Sequence, residues 1–188
     1  MQIQTQLKFA HNYEANVVDE WPGGLSGKRF YFPGAKSNGG KDGLMVEIHS
    51  LGRPSNWIGI FAFGMAANYK GYSAICSTPD PLTVLVVSLG CGCFVNVEQP
   101  NLWSQPPVFP VTDVWQVVEK ELMLFSDHTT ICAWGKKGLV WKSSRLVLDD
   151  LKIVNIENNI IRGNGTDSTG TSKISFAIDL LTGEQTTG

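Results

Sequence analysis

The chain has 188 residues, 43% of them hydrophobic and 17% charged. That is the size of one typical domain, with enough apolar material for a core, and it excludes a disordered tail. With 15 Lys and Arg against 17 Asp and Glu, the formal net charge is −2, and no basic run could track a phosphate backbone, so nucleic acid is not an expected partner.

The opening residues, MQIQTQLKFAHN, lack the basic start, apolar stretch and cleavage site of a secretory signal, which sets the expectation of a cytoplasmic protein. The apolar runs Ile58 to Phe63 and Leu82 to Val87 are far shorter than the roughly 20 residues of a membrane helix, and no membrane association is expected. Cys76, Cys91, Cys93 and Cys132 sit among apolar neighbours without the spacing of a disulfide framework, and they read as reduced thiols. Asn164-Gly165-Thr166 matches a glycosylation acceptor, a triplet with meaning only in a secreted chain.

Along the chain, residues 1–43 read as an N-terminal segment with one strand at Arg29 to Phe32 and a Gly-rich loop behind it. That loop, Ala35 to Asp42, is a near miss to a phosphate-binding loop. Asp42 stands where a Ser or Thr would hold magnesium, and the following GLMVEIHSL alternates as a strand where a helix N-terminus is needed. A surface loop is the expectation.

From Leu44 onward, alternation of apolar and polar residues repeatedly stops at Gly, Asn, Asp or Pro, which is how half-buried strands joined by tight turns read. Strands are expected at Leu44 to Ser50 and Trp57 to Phe63. The loop between them brings together His49, Arg53, Asn56 and Trp57, and Arg with Trp are enriched at binding hot spots. His49, Arg53 and Trp57 are therefore ligand-binding candidates, weighed against Trp57 simply packing inward.

Strands follow at Tyr72 to Cys76, Leu82 to Ser88 and Cys93 to Glu98. Ser88 lies in SLG with no Gly-x-Ser-x-Gly elbow, so hydrolase chemistry gains no support. Cys91 and Cys93 share a strand face, but one Cys-x-Cys with two isolated cysteines is not structural-zinc spacing, and no metal or cofactor is expected. Carboxylate pairs for glycoside chemistry could come from Glu47, Glu98 and Asp113 only if the fold joined them.

Asp113 to Met123 fits a short helix nearly as well as two strands, Val114 to Glu119 and Leu122 to Ser126. Then come Thr130 to Trp134 and Leu139 to Lys142, joined by a Gly135 to Gly138 turn. Leu151 to Ile156 and Asn159 to Arg162 read as a hairpin turning at Glu157-Asn158-Asn159, because Asn tolerates left-handed backbone. Ile174 to Asp179 closes the series. Asp127-His128 falls at a turn as an acid beside a potential base, which makes both ligand-binding candidates against the plainer reading of Asp127 as a turn former.

One stretch echoes another. Leu122 to Trp141 aligns without gaps on Val84 to Trp103 at an offset of 38 residues, pairing Ser126 with Ser88 and Trp141 with Trp103. Eight further pairs are apolar on both sides, about twice the chance number. Recurrence makes Trp103 and Trp141 packing residues first.

The phrases SFAIDLLTGE and WGKKGLVW resemble β-propeller-type hairpin repeats. The resemblance covers the C-terminal half, implies a blade-like antiparallel meander and carries over no functional residue. The expectation is one all-β domain over 1–188, with a repeat-like meander over 82–183 and at most one or two short helices. Its sheets should form a sandwich or a blade-like or open barrel-like assembly. The expected function is a non-enzymatic interaction module for a protein partner. The alternative is a small-ligand or carbohydrate binder, or an enzyme with a polar pocket at the sheet mouth.

Overall fold

A computed structural model describes residues 2–19, 28–33, 43–52, 56–64 and 71–186. Among them the protein is all-β, with sixteen strands in four mostly antiparallel sheets and one 3-10 turn at Val118–Lys120. No described helix is long and apolar enough to cross a membrane. The near-miss loop Ala35 to Asp42 lies outside the described residues. The chain forms two compact units, Met1–Pro106 and Pro107–Gly188, and the meander expected over 82–183 runs through both.

The first unit contains β1 (Gln4–Gln6), β2 (Tyr13–Val17), β3 (Lys28–Phe32), β4 (Gly43–Ser50), β5 (Asn56–Ala62), β6 (Ala74–Ser77), β7 (Thr83–Ser88), β8 (Cys91–Asn96) and β9 (Trp103–Ser104). One sheet runs β1-β6-β7-β8-β9 and the other β2-β4-β5-β3, and all neighbours are antiparallel except β1 with β6 and β3 with β5. Strict alternation in β4 sends Leu44, Val46 and Ile48 inward and leaves Met45, Glu47 and His49 outward. The inward set meets Ile75, Val84, Val86, Cys93 and Val95 of the facing sheet in one buried cluster, a sandwich in which each fully buried aliphatic side chain contributes about 1.5–3 kcal/mol. The sequence pattern shows no strand at β1, β2 or β9. Each is short or largely polar and takes its order from its partners, Ala74 to Cys76, Val46 to Ser50 and Phe94 with Val95.

The second unit holds β10 (Asp113–Val117), β11 (Leu122–Ser126), β12 (Ile131–Gly135) and β13 (Gly138–Lys142) in one meander, and β14 (Asp149–Glu157), β15 (Ile160–Thr166) and β16 (Lys173–Asp179) in another. Leu124, Ile131, Ala133 and Trp141 from the first sheet meet Ile153, Ile161, Phe176 and Ile178 from the second. The ambiguous Asp113 to Met123 stretch is two strands. Cross-strand pairs such as Val114 with Phe125 decide against a helix, and the chain reverses through the 3-10 turn with Glu121 at φ +50°. Asn158 and Asn159 take φ of +52° and +61° between the paired Glu157 and Ile160, the two left-handed residues that a tight hairpin needs. Gly135 pairs with Gly138 around Lys136-Lys137 as expected.

The 38-residue echo is a structural correspondence. Val84, Val86, Cys93 and Val95 face the first cluster, and their counterparts Leu122, Leu124, Ile131 and Ala133 face the second. Val95 opposes Trp103 as Ala133 opposes Trp141. The middle strand slides: Ser88 pairs with Cys91, but Ser126 pairs with Ile131, two residues beyond the counterpart of Cys91. A slip of two preserves the pleat, so the same faces stay inward.

The phrases WGKKGLVW and SFAIDLLTGE meet in one packed constellation. Trp141 donates its indole N–H to the Leu180 carbonyl at 2.9 Å. Asp179 accepts from the backbone N–H of Leu181 and Thr182, which shapes the turn leading to Gly183 at φ +72°. A Cβ there would fall 2.7 Å from Cδ2 of Trp141.

Candidate functional site

The residues singled out by sequence divide between the units. His49, on β4, projects from the outer face of its sheet, where Nε2 lies 3.2 Å from a Glu47 carboxylate oxygen. The pair is partly exposed to solvent. Arg53 lies outside the described residues. Trp57, on β5, is buried; its indole N–H donates to the Val97 carbonyl at 2.9 Å, and its ring stands edge-on to Phe30 at a centroid distance of 5.5 Å.

Asp127 and His128 turn away from each other. The Asp127 carboxylate accepts from the backbone N–H groups of Thr129 and Thr130, each at 2.7 Å, and from both threonine hydroxyls. Burial opposes its ionisation, but these four donors prevail and hold the carboxyl below its ordinary range. His128 instead faces Asp149, Nδ1 to carboxylate oxygen 3.4 Å, and both are exposed.

All four cysteines are buried and unbridged. Hydrogen bonding with Cys91, helped by burial, pushes the Cys93 thiol up, and burial pushes the Cys132 thiol up to about 12, the environment of inert rather than reactive thiols. Among the described residues, no three His, Cys, Asp or Glu side chains gather as metal ligands would. Ser88 is fully buried, and its hydroxyl lacks a hydrogen-bond partner among the described residues.

The arrangement best suited to binding lies beside Trp57. A cavity of about 340 Å³ opens between the β3–β5 edge and the loop that follows β8. Phe30, Trp57 and Leu102 supply apolar walls, and Lys28, Asn56, Glu98, Gln99 and Asn101 supply polar groups. The side chains of Lys28, Asn56, Gln99 and Asn101 make no hydrogen bond or ion pair among the described residues. The loop itself is tightly held. Asn96 Oδ1 accepts from the N–H of Glu98 and Gln99 at 3.1 and 2.9 Å, the Leu102 N–H reaches the Gln99 carbonyl at 2.8 Å, and the Trp57 indole pins the start at Val97.

On the rim, Leu102 is 58% and Trp103 39% exposed. Trp103 touches Phe32 edge-on at 6.2 Å between centroids. Its repeat counterpart Trp141 is 8% exposed, so one tryptophan of the echo is core and the other is available at the surface. Leu102 precedes the two-residue strand β9, and both it and Trp103 are exposed, so no alternating pattern in the sequence marks the pair.

No protein family, curated protein or solved structure matches the chain significantly. The site therefore rests on its own geometry.

Proposed function

We propose that this chain is a non-enzymatic binding module that receives a protein partner at the cleft beside Trp57 and on the Leu102–Trp103 ridge. The carrying observation is a pinned loop that presents unpartnered polar side chains and two exposed large apolar residues at one edge of a sandwich. A preordered loop loses little conformational entropy on binding, and a half-exposed Trp beside a cleft is the kind of anchor that dominates interfaces. The carboxylate of Asp127 is spent on its own turn, and the His49–Glu47 pair sits on an open sheet face; neither supports catalysis. The reading needs no metal or cofactor. Four buried thiols support a reducing, cytoplasmic setting, and the Trp141–Gly183 constellation with the 38-residue echo supports blade-like sheets of the β-propeller type.

A second reading is favoured by the three amide side chains, Asn56, Gln99 and Asn101, over an apolar wall: a small polyhydroxylated ligand such as a saccharide in the same cleft. A photo-crosslinking residue at position 102, compared with one at the exposed position 119 of the other unit, separates the readings in native lysate. The protein-partner reading expects a discrete adduct at 102 that disappears with Trp103→Ala and is absent at 119. Equal labelling at both positions, or displacement of every adduct by saccharides that shift the Asn101 amide signals, overturns it.

A further inference from the structure

A second, independent concentration of unused hydrogen-bonding groups lies on the outer face of the C-terminal sheet. The register Arg162 with Ala177 and Asn164 with Ser175 puts these four side chains on one face. In β14, a register irregularity between Ile153 and Asn155 brings Asn155 opposite Arg162, the usual effect of a bulge in re-aiming a side chain. Thr186 is held beside Ala177 by its N–H on the Ala177 carbonyl at 3.0 Å. Ala177 is small, and the face around Arg162 forms a concavity of about 610 Å³.

None of the side chains of Asn155, Arg162, Asn164, Ser175 and Thr186 makes a hydrogen bond or ion pair among the described residues. Several polar side chains elsewhere in this unit are engaged locally. Asp127, Asp167 and Asp179 each bind their own turns, and Lys152 is paired with Asp150 at 3.3 Å. Acidic positions around the recess are Glu157 at the hairpin end, Glu184 two residues before Thr186, Asp150 paired with Lys152 opposite Asn164, and Asp179, whose carboxylate is committed to Leu181 and Thr182. None of them lines the recess, where the Arg162 guanidinium shares the lining with two amides and two hydroxyls.

We propose that this recess binds a small hydroxycarboxylic acid, with Arg162 forking onto the carboxylate and Asn155, Asn164, Ser175 and Thr186 meeting its hydroxyl groups. The planar guanidinium presents two parallel N–H donors matched to the two oxygens of a carboxylate. Arg162 is the one cation among the described residues that line the recess; it balances a monoanion and leaves a doubly charged phosphate half-neutralised. The volume exceeds what a bare oxyanion fills, which points to a ligand with a hydroxylated body.

The test is NMR titration of the full chain with gluconate, with inorganic phosphate and with neutral glucose, repeated on Arg162→Gln and Arg162→Lys. Gluconate is expected to shift the Arg162 Nε–H and the side-chain amides of Asn155 and Asn164. Arg162→Gln should weaken this by roughly tenfold or more, since a charge-assisted bond is lost, and Arg162→Lys should restore only part of it. Because Arg162 is exposed, both variants should melt as the unaltered chain does. No gluconate shift at millimolar concentration, shifts unchanged in Arg162→Gln, or phosphate binding in preference to gluconate would each overturn the assignment.

Discussion

Gly183→Ala probes the contact that joins the WGKKGLVW hairpin to the AIDLLTG turn. The backbone at Gly183 has φ +72°, a conformation that costs an L-residue about 1–2 kcal/mol. The added methyl would also press on the Trp141 indole, 2.7 Å from Cδ2 and 3.0 Å from Cζ3, and overpacking of this kind costs about 1–3 kcal/mol. The two terms together predict a loss of about 2–5 kcal/mol. Guanidinium unfolding followed by circular dichroism, with hydrogen exchange at the Ile178 and Leu180 amides, measures it. In a Trp141→Leu background the ring is gone, and the same glycine substitution should cost only the backbone term. The cycle should therefore show a coupling of about 1–3 kcal/mol, well above the ~0.5 kcal/mol within which independent sites add. Additive effects, or a Gly183→Ala loss below about 1 kcal/mol, would refute the reasoning.

Asp127→Ala removes a carboxylate that accepts four hydrogen bonds and should destabilise by about 1–2 kcal/mol at neutral pH, the scale of a lost cap. Because folding lowers the Asp127 pKa from its ordinary 3.8, the ionised form's contribution is complete above that value and fades as pH falls through the folded one. The gap between the two proteins should narrow only in that acid range, and a gap constant with pH would contradict the assignment. Asn159→Gly, at φ +61° in the hairpin turn, should be neutral or stabilising by up to about 1 kcal/mol, because glycine suits the second turn position; thermal unfolding checks it, and a clear loss would argue against the turn geometry. The four buried thiols should react with an aromatic disulfide reagent far more slowly in native buffer than in denaturant, and prompt native labelling of any of them would contradict their burial.

Much of the fold was legible because it rests on local periodicity. Alternation in Leu44 to Ser50, the paired asparagines at 158 and 159, and the 38-residue echo each correspond to an element of the structure. What escaped the pattern was set by partners. Gln4 to Gln6 has no apolar face of its own, and only pairing with Ala74 to Cys76 makes it a strand. The candidate site was half legible. Trp57 was named, but the residues that make the cleft with it, Gln99, Asn101 and Leu102, come from a loop about forty positions away and are placed there by the indole bond to Val97. Arg162 gave no sequence signal, because its surroundings depend on register across three strands.

The sequence by itself determined that this chain is a β protein with tight turns and buried thiols, since alternation and left-handed turn residues act over a few positions. Only the tertiary structure decided which tryptophan of the echo is core. Trp141 is covered by Gly183 and bonded to Leu180, whereas Trp103, at the equivalent place, remains partly in solvent. The two residues have the same chemistry and the same strand position. Their exposure differs because burial is a property of the neighbours that long-range packing supplies, which no local pattern records.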